Sequence, residues 1–346
     1  MVRGRRSHYV TFHNEPITVC VLDPQQIRPI VKFIIYPGKE LIGARPETDA
    51  PNLMDEPIPI LMNTKSGAIH EEAGEQQLYR MAEDPDVLVR VIKTQSIDDL
   101  QRELSTLIDA KAPKVAIAGG DGTVGLAVQL LANSETALGI LSQGTFNNFA
   151  SAVRMHHNLP AALKTLKDGE VKHVDLGKVG DRYFTESAGI GLFADALAAY
   201  GQGSNKNVAR GILALGRIAL SFHPHPVNLT IDGKQTDERI TICEICNTYR
   251  IAQAVPIAPE ADIDDGYLDV VTITDLHRHE LPGYLKALRA QMHLGLPQVT
   301  VTKAREVRIE ADRTRNVHAD DHLVGRTPVT VTVQPGALRV LVDAKL

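Results

Sequence analysis

Short apolar runs alternate with longer amphipathic stretches between residues 58 and 150. The apolar runs have the length and flanking residues of buried strands, and the stretches between them have the spacing of helices that bury one face. Such alternation predicts a parallel sheet with helices on both faces. The predicted strands are residues 58–62, 87–93, 114–117 and 137–141, and the predicted helices are 71–82, 97–110 and 124–131.

The pattern changes beyond about residue 172, where many short strand-like segments follow one another. Asp232-Gly233 separates the strand patterns at 227–231 and 238–246, which is a typical hairpin signal. This part is therefore predicted to be a mainly antiparallel β domain. Helical patterns interrupt it at 208–221 and 281–294.

Residues 1–57 carry strand patterns of their own at 16–22 and 30–36, followed by a segment rich in proline and acidic residues. The predicted organisation is thus an N-terminal extension of unassigned role at 1–57, an α/β domain at 58–171 and a β-rich domain at 172–346.

Composition narrows the classes of function. With 346 residues, 43% hydrophobic and 23% charged, the chain has ordinary globular composition, and its net charge of −5 without a long basic run argues against a nucleic-acid partner. No apolar run approaches eighteen residues, and the first residues do not form a signal-peptide core. These features predict a cytoplasmic protein.

Three cysteines fit a reducing compartment. Cys243 and Cys246 form a C-x-x-C pair, but it lies in a strand pattern, where residues three apart point to opposite faces. No second pair completes a zinc site. We predict buried structural thiols.

The segment Gly119-Gly120-Asp121-Gly122-Thr123 follows a predicted strand and precedes a predicted helix. Glycines let backbone amides approach an anion, and a helix N-terminus offers unpaired N–H groups. The carboxylate of Asp121 among those amides would repel phosphate unless a metal ion or a transferable proton intervened. The segment therefore predicts chemistry on phosphate, although an ordinary connection between strand and helix has the same pattern.

A second loop with related sequence follows the next strand, at residues 142–150, and contains Gly144, Thr145 and Asn147. Parallel strands end at one edge of a sheet, so both loops should face one crevice. Neither loop has the Gly-Lys-Ser/Thr of a P-loop, and their spacing does not satisfy the dinucleotide-binding pattern.

Three segments together resemble the diacylglycerol kinase catalytic family, bacterial lipid kinases related to sphingosine kinases and NAD kinases. The family's NPxSG, GGDGT and GTxN motifs correspond in order to residues 63–67, 119–123 and 144–147. Residues 257–270 and 327–342 resemble signatures of the family's second domain. The resemblance implies a lipid kinase that uses ATP and Mg²⁺, with the lipid bound between the two domains.

The resemblance also implies roles for individual residues. Asp121 would bind the metal ion or help to deprotonate the acceptor, and Asp265 is a second, weaker metal candidate. The residues implied in ATP binding are Asn63, Ser66, Gly67, Thr94, Gly119, Gly120, Gly122, Thr123, Gly144, Thr145 and Asn147.

The chain departs from the family pattern at several positions. Thr64 replaces the proline of NPxSG, Gly125 and Leu126 replace the polar pair after GGDGT, and Asn148 replaces an acidic residue or histidine. The family's DGE, whose glutamate is the expected general base, corresponds to residues 320–322, Asp-Asp-His. His322 is therefore the predicted catalytic base, since an imidazole can accept a proton near neutral pH.

Three functions remain open from the sequence. The first is an ATP-dependent lipid kinase, the second is a catalytically silent relative that binds nucleotide or lipid, and the third is a soluble enzyme resembling NAD kinase. Residues 210–222, with arginines seven apart on one helical face, predict either a core helix or a peripheral membrane contact. A homodimer remains open as well.

Overall fold

The computed structural model of the chain describes residues 17–22, 29–35, 57–63, 72–82, 88–142, 147–155, 158–200, 223–251 and 255–343. It contains two compact units, Met1–Asp55 and Glu56–Leu346. In the first unit, strands β1 (Ile17–Leu22) and β2 (Pro29–Ile35) pair in antiparallel fashion, with Ile17 opposite Ile35. All elements described below belong to the second unit.

Four parallel strands open the second unit in the spatial order β4-β3-β5-β6. They are β3 (Ile58–Asn63), β4 (Val89–Thr94), β5 (Lys114–Gly119) and β6 (Ala137–Ser142). The helices that accompany them are α1 (Glu72–Ala82), α2 (Ile97–Asp109), α3 (Asp121–Leu131), α4 (Asn148–Ala152) and α5 (Leu159–Asp168).

Both faces of this sheet are buried. Leu61 and Ile117 share one hydrophobic cluster with residues of α2 and α3, such as Leu100. Their neighbours along the strands, such as Ile60, pack in a separate cluster with residues of α1 and α5, such as Leu78. Because alternate side chains of a strand point to opposite faces, the two clusters lie on the two sides of the sheet. The predicted α/β architecture is confirmed.

Antiparallel strands dominate after α5, which confirms the predicted β-rich part. The predicted hairpin turn has positive φ at Asp232 (46°) and Gly233 (81°), as a tight hairpin requires. The strands are β7 (Glu170–Val179), β8 (Arg182–Phe184), β9 (Ser187–Gly191), β10 (His225–Ile231), β11 (Lys234–Cys246), β12 (Leu268–Thr274), β13 (Val299–Ala304), β14 (Glu306–Ala311), β15 (Asn316–Ala319), β16 (His322–Arg326) and β17 (Val329–Val342).

Two helices accompany these strands, α6 (Leu192–Tyr200) and α7 (Leu281–Arg289). The predicted helix at 281–294 was too long, because Gln291 adopts φ 55° and ends the helical path before a 3-10 turn at His293–Gly295. The predicted helix at 208–221 lies outside the described residues. No helix in the described ranges is both long enough and apolar enough to span a membrane.

Strand β17 connects the two parts of the second unit. It pairs with β14 and β7 in antiparallel fashion and with β6 in parallel fashion, through Val340 and Leu138. The buried carboxylate of Asp175 on β7 accepts the backbone N–H of Gly336 in β17 at 2.7 Å and that of Gly266 at 2.6 Å. The α/β part and the β-rich part therefore share one continuous sheet.

The two cysteines of the C-x-x-C pair are fully buried on β11. Cys243 and Cys246 contribute to different hydrophobic clusters, as their spacing on a strand predicts. Burial raises the pKa of both thiols. The prediction of buried thiols is confirmed.

Candidate active site

The first strand-end loop is shorter than the sequence analysis predicted. Strand β5 ends at Gly119, Gly120 is the extended N-cap residue, and α3 begins at Asp121, three residues before the predicted start at 124. A Cβ on Gly119 would lie 2.8 Å from Cβ of Thr123, so this glycine allows the first helical turn to pack on the strand end. A Cβ on Gly122 would meet nothing within 4 Å. The positive end of α3 is therefore accessible beside Gly122.

Asp121 links the two predicted loops. Its Oδ2 accepts the backbone N–H of Asn147 at 3.0 Å, and Asn147 is the N-cap of α4 behind β6. Burial raises the pKa of Asp121, backbone N–H groups of Asn147, Asn148 and Asp121 itself oppose this shift, and the negative charge of Asp321 adds to it. The carboxylate of Asp121 thus connects the ends of β5 and β6. It also interacts electrostatically with Asp321 in a third segment of the chain.

The second loop enters α4 through a left-handed residue, Asn147, with φ 48° and ψ 45°. Its carbonyl accepts the hydroxyl of Ser151 at 2.9 Å, which closes the first turn of the helix. Gly144 and Thr145 lie outside the described residues, so their predicted contacts with ATP stay predictions.

The first two parallel strands end side by side. Asn63, the last residue of β3, pairs in register with Thr94 on β4, and both side chains are buried. The hydroxyl of Thr94 donates to the carbonyl of Met62 at 3.2 Å, so it fastens the two strand ends together. Ser66 and Gly67, which follow β3, lie outside the described residues.

The segment predicted to contain the catalytic base is a hairpin turn. Asp320, with φ 49°, and Asp321 connect β15 to β16, and His322 is the first residue of β16. The enclosed carboxylate of Asp320 accepts the backbone N–H of Thr185 at 3.0 Å and that of Glu186 at 2.8 Å. Burial raises the pKa of Asp320, and these backbone donors oppose the shift. Asp320 therefore fixes the hairpin on the segment before β9.

His322 and Asp321 form a pair at the tip of this hairpin. Nδ1 of His322 lies 2.6 Å from Oδ1 of Asp321, and the imidazole side chain is 41% exposed. The close contact with His322 holds the pKa of Asp321 below its usual range. A carboxylate that orients one ring nitrogen leaves the other nitrogen available for proton transfer.

Two buried polar pairs beside the hairpin were not found from the sequence. Nδ2 of Asn148 donates to Oε2 of Glu186 at 3.0 Å, and Nε2 of His318 lies 2.9 Å from Oε2 of Glu244. Ser187 Oγ also donates to Glu244, at 3.2 Å. Burial opposes protonation of His318, but the charge and hydrogen bond of Glu244 raise its pKa. The sequence contains one indication of these pairs, because Glu244 is a charged residue within the apolar run of β11.

Two family models together match most of the second unit. Residues 57–179 match the diacylglycerol kinase catalytic domain, and residues 186–342 match the YegS C-terminal NAD kinase beta sandwich-like domain. Residues 57–179 are therefore a domain of the diacylglycerol kinase catalytic-domain family. This family contains lipid kinases, so the predicted resemblance is confirmed.

Individual members of the family are similar over most of their length. A diacylglycerol kinase of Mycobacterium tuberculosis (strain ATCC 25618 / H37Rv) is 29% identical over 256 residues, which cover 70% of this chain and 81% of the relative. A protein of Shewanella frigidimarina named "Probable lipid kinase YegS-like" is 26% identical over 202 residues, 56% of this chain and 65% of that protein. A crystal structure of a diacylglycerol kinase from Bacillus anthracis str. Sterne shares the fold, with a TM-score of 0.63 at 19% identity, covering 84% of this chain and 98% of that one.

Asp265, the second metal candidate, lies in a turn among other acidic side chains, within electrostatic range of Asp262 and Asp269. Its Oδ1 accepts the backbone N–H of Tyr267 at 2.9 Å, and its Oδ2 is paired with the ammonium of Lys303. Gly266 follows with φ 76°. Across the described ranges, no three His, Cys, Asp or Glu side chains gather in a way that could hold a metal ion. A lysine thus already neutralises Asp265.

Proposed function

We propose that the protein is an ATP-dependent lipid kinase that transfers the γ-phosphoryl group to a hydroxyl of a diacylglycerol-like or sphingoid lipid. The observation that carries the proposal is the position of Asp121. Its carboxylate lies at the N-terminus of α3 and accepts a hydrogen bond from the backbone N–H of Asn147. The negative charge of Asp321 raises its pKa. Family membership supports the class of reaction.

The phosphates of ATP are proposed to lie against the first turn of α3. The unpaired N–H groups and the positive dipole end of a helix favour anions. The open space beside Gly122 would admit a phosphate close to the backbone. The predicted residues of the neighbouring strand ends, Asn63, Ser66, Gly67, Gly144 and Thr145, would complete the nucleotide site.

Mg²⁺ is proposed to bind with Asp121. The negative charge of Asp321 raises the pKa of Asp121, and a carboxylate is the kind of hard oxygen ligand that Mg²⁺ prefers. A bound Mg²⁺ would neutralise charge on the transferred phosphoryl group. Asp121 would hold that ion in place, and the amide of Asn147 would fix the direction of the carboxylate.

His322 is proposed to be the general base. Its Nε2 would accept the proton of the lipid hydroxyl while the hydroxyl oxygen forms a bond to the γ-phosphorus and the bond from phosphorus to ADP oxygen breaks. Asp321 would hold Nδ1 of the ring and stabilise the imidazolium that forms. His322 would later release the proton to water.

A catalytically silent relative that binds nucleotide or lipid is the second candidate. It is favoured by one observation, the replacement of the family's glutamate by His322. The experiment that separates these functions is incubation of the purified protein with labelled ATP, Mg²⁺ and a total lipid extract. Labelled lipid supports the kinase, labelled water-soluble product supports an enzyme resembling NAD kinase, and bound ATP without product supports the silent relative.

A peripheral contact with the membrane surface is part of the proposal, because the acyl chains of the acceptor remain in a bilayer. Co-sedimentation with vesicles of phosphatidylglycerol and diacylglycerol tests it. Protein that stays in the supernatant at all lipid concentrations would contradict the contact without affecting the proposed nucleotide site.

A further inference from the structure

Glu186 occupies a position between the two proposed catalytic groups. We propose that it is a positioning residue, which keeps Asp121 and His322 in register through a hydrogen bond to Asn148. The kinetic part of this inference rests on the proposed lipid kinase function. The structural part rests on four hydrogen bonds.

On the α/β side, Glu186 controls the start of α4. Its Oε2 accepts Nδ2 of Asn148 at 3.0 Å, and these side chains are only 8% and 5% exposed. The preceding residue, Asn147, donates its backbone N–H to Asp121. Because Asn147 and Asn148 are consecutive, a shift of Asn148 displaces the donor that orients Asp121.

On the β-rich side, the backbone of Glu186 is fixed from both directions. Its N–H donates to Oδ1 of Asp320 at 2.8 Å, and its carbonyl accepts the N–H of Asn247 at 2.8 Å. Asp320 belongs to the same two-residue turn as Asp321, which orients His322. The position of Glu186 is therefore set by the hairpin that carries the proposed base.

The carboxylate of Glu186 suits this role better than a neutral acceptor. A hydrogen bond to an ionised acceptor in a buried setting is stronger than a bond between neutral groups. Helix α4 has only five residues and is therefore held mainly by its contacts with neighbouring segments. Loss of Glu186 would leave the amide of Asn148 buried without this partner.

An exchange of the two side chains tests the proposal while conserving net charge. Glu186→Ala should lower kcat for phosphorylation of diacylglycerol about 10- to 100-fold, with KM for the lipid changed less than about threefold, because small displacements of reacting groups cost rate rather than binding. Asn148→Asp should lower kcat similarly, since two carboxylates would face each other. The double variant Asn148→Asp/Glu186→Gln should recover native kcat within about threefold, because the pair is restored with reversed polarity.

Amide hydrogen exchange gives a second measurement that needs no activity. Exchange at residues 147–152 should be faster in Glu186→Ala and return to the native rate in the double variant. Glu310→Ala, which removes a surface carboxylate paired with Arg308, is the matched control and should change neither measurement.

Native exchange and native kcat in Glu186→Ala would overturn the proposal. So would a folded double variant that fails to restore exchange at 147–152. If the native protein phosphorylates no lipid, the proposed function fails, and the exchange measurement still decides whether Glu186 positions α4.

Discussion

Asn147 donates its backbone N–H to Oδ2 of Asp121 at 3.0 Å, which joins the ends of two neighbouring parallel strands. Asn147 adopts a left-handed conformation, so its amide points back toward α3 rather than along α4. The contact fixes the direction of a carboxylate whose pKa is raised by burial. The proposed metal ligand is thus oriented before any ligand binds.

Asp121→Asn should reduce lipid phosphorylation by about 10²-fold or more, since electrostatic stabilisation and metal binding supply terms of this size. The fold should remain intact, because the amide oxygen of asparagine can still accept the N–H of Asn147. Steady-state kinetics and thermal unfolding of the same preparation check both expectations. Asp181→Asn, in the exposed turn between β7 and β8, is the matched control. Native turnover in Asp121→Asn would remove this residue from the mechanism.

Two glycines of α3 allow a test of the proposed nucleotide site with a matched control. Beyond its chain neighbours and the backbone of its own helix, neither Gly122 nor Gly125 would bring a new Cβ within 4 Å of an atom, but only Gly122 lies in the first turn of the helix. Gly122→Ala should weaken Mg-ATP binding at least about tenfold, because the methyl group fills the space proposed for a phosphate. Gly125→Ala should leave binding unchanged and stabilise the fold by about 0.4–1 kcal/mol. Calorimetry with equal ATP affinity for both variants would refute the proposed phosphate position.

The start of α3 shows what the sequence could and could not predict here. The strand, the glycines and the helix were found from periodicity, but the glycines at 119–123 were assigned to a loop. Glycine is accepted at a helix N-cap, but its low helix propensity makes a glycine-rich helix start look like a loop in the sequence. The packing of Thr123 on Gly119, which sets the actual start, is a contact that periodicity does not report.

The proposed base predicts an acid limit to activity. A protonated imidazole cannot accept the hydroxyl proton, so the pH profile of kcat should have an acid limb that His322→Ala lacks. His322→Ala should cost about 10²- to 10⁴-fold, and Asp321→Asn should cost less, because it removes only the orienting carboxylate. A pH profile of kcat for the three proteins checks this.

His322→Glu adds a test of the silent alternative. A large gain of activity in this variant would favour a relative whose base has been lost. Native activity that is indifferent to His322→Ala would leave Asp121 as the remaining proton acceptor among the proposed residues.

The buried pair of His318 and Glu244 predicts a pH-dependent stability. Because the pKa of His318 is raised in the fold, its contribution is fully present below the ordinary histidine value and is lost as pH rises through the folded value. His318→Ala should lower the free energy of unfolding by about 3–5 kcal/mol at the acidic end, since Glu244 loses a buried partner. Urea titrations between about pH 6 and 9 should show this difference shrinking with rising pH. A difference that grows with pH would contradict the sign.

The buried polar pairs that support the site could not be predicted from the sequence, and the reason is physical. Glu186 lies 38 residues from Asn148, and His318 lies 74 residues from Glu244. Neither pair follows a helical or strand period, and each forms only where separate segments meet. The sequence motifs identified the residues proposed to face ATP. The residues that position them come together only through tertiary packing, which the motifs do not report.

The position of β17 near the end of the chain affects when the sheet can be completed during synthesis. This strand is synthesised after all other described strands, yet it completes the edge of the parallel sheet at β6 and the antiparallel layer at β7 and β14. While the ribosome is still translating residues 143–328, β6 therefore has an unpaired edge. The early, parallel half cannot reach its final form as an independent nascent domain. An unpaired strand edge is a template for pairing with other chains, so β17 also covers part of an edge that would otherwise favour aggregation.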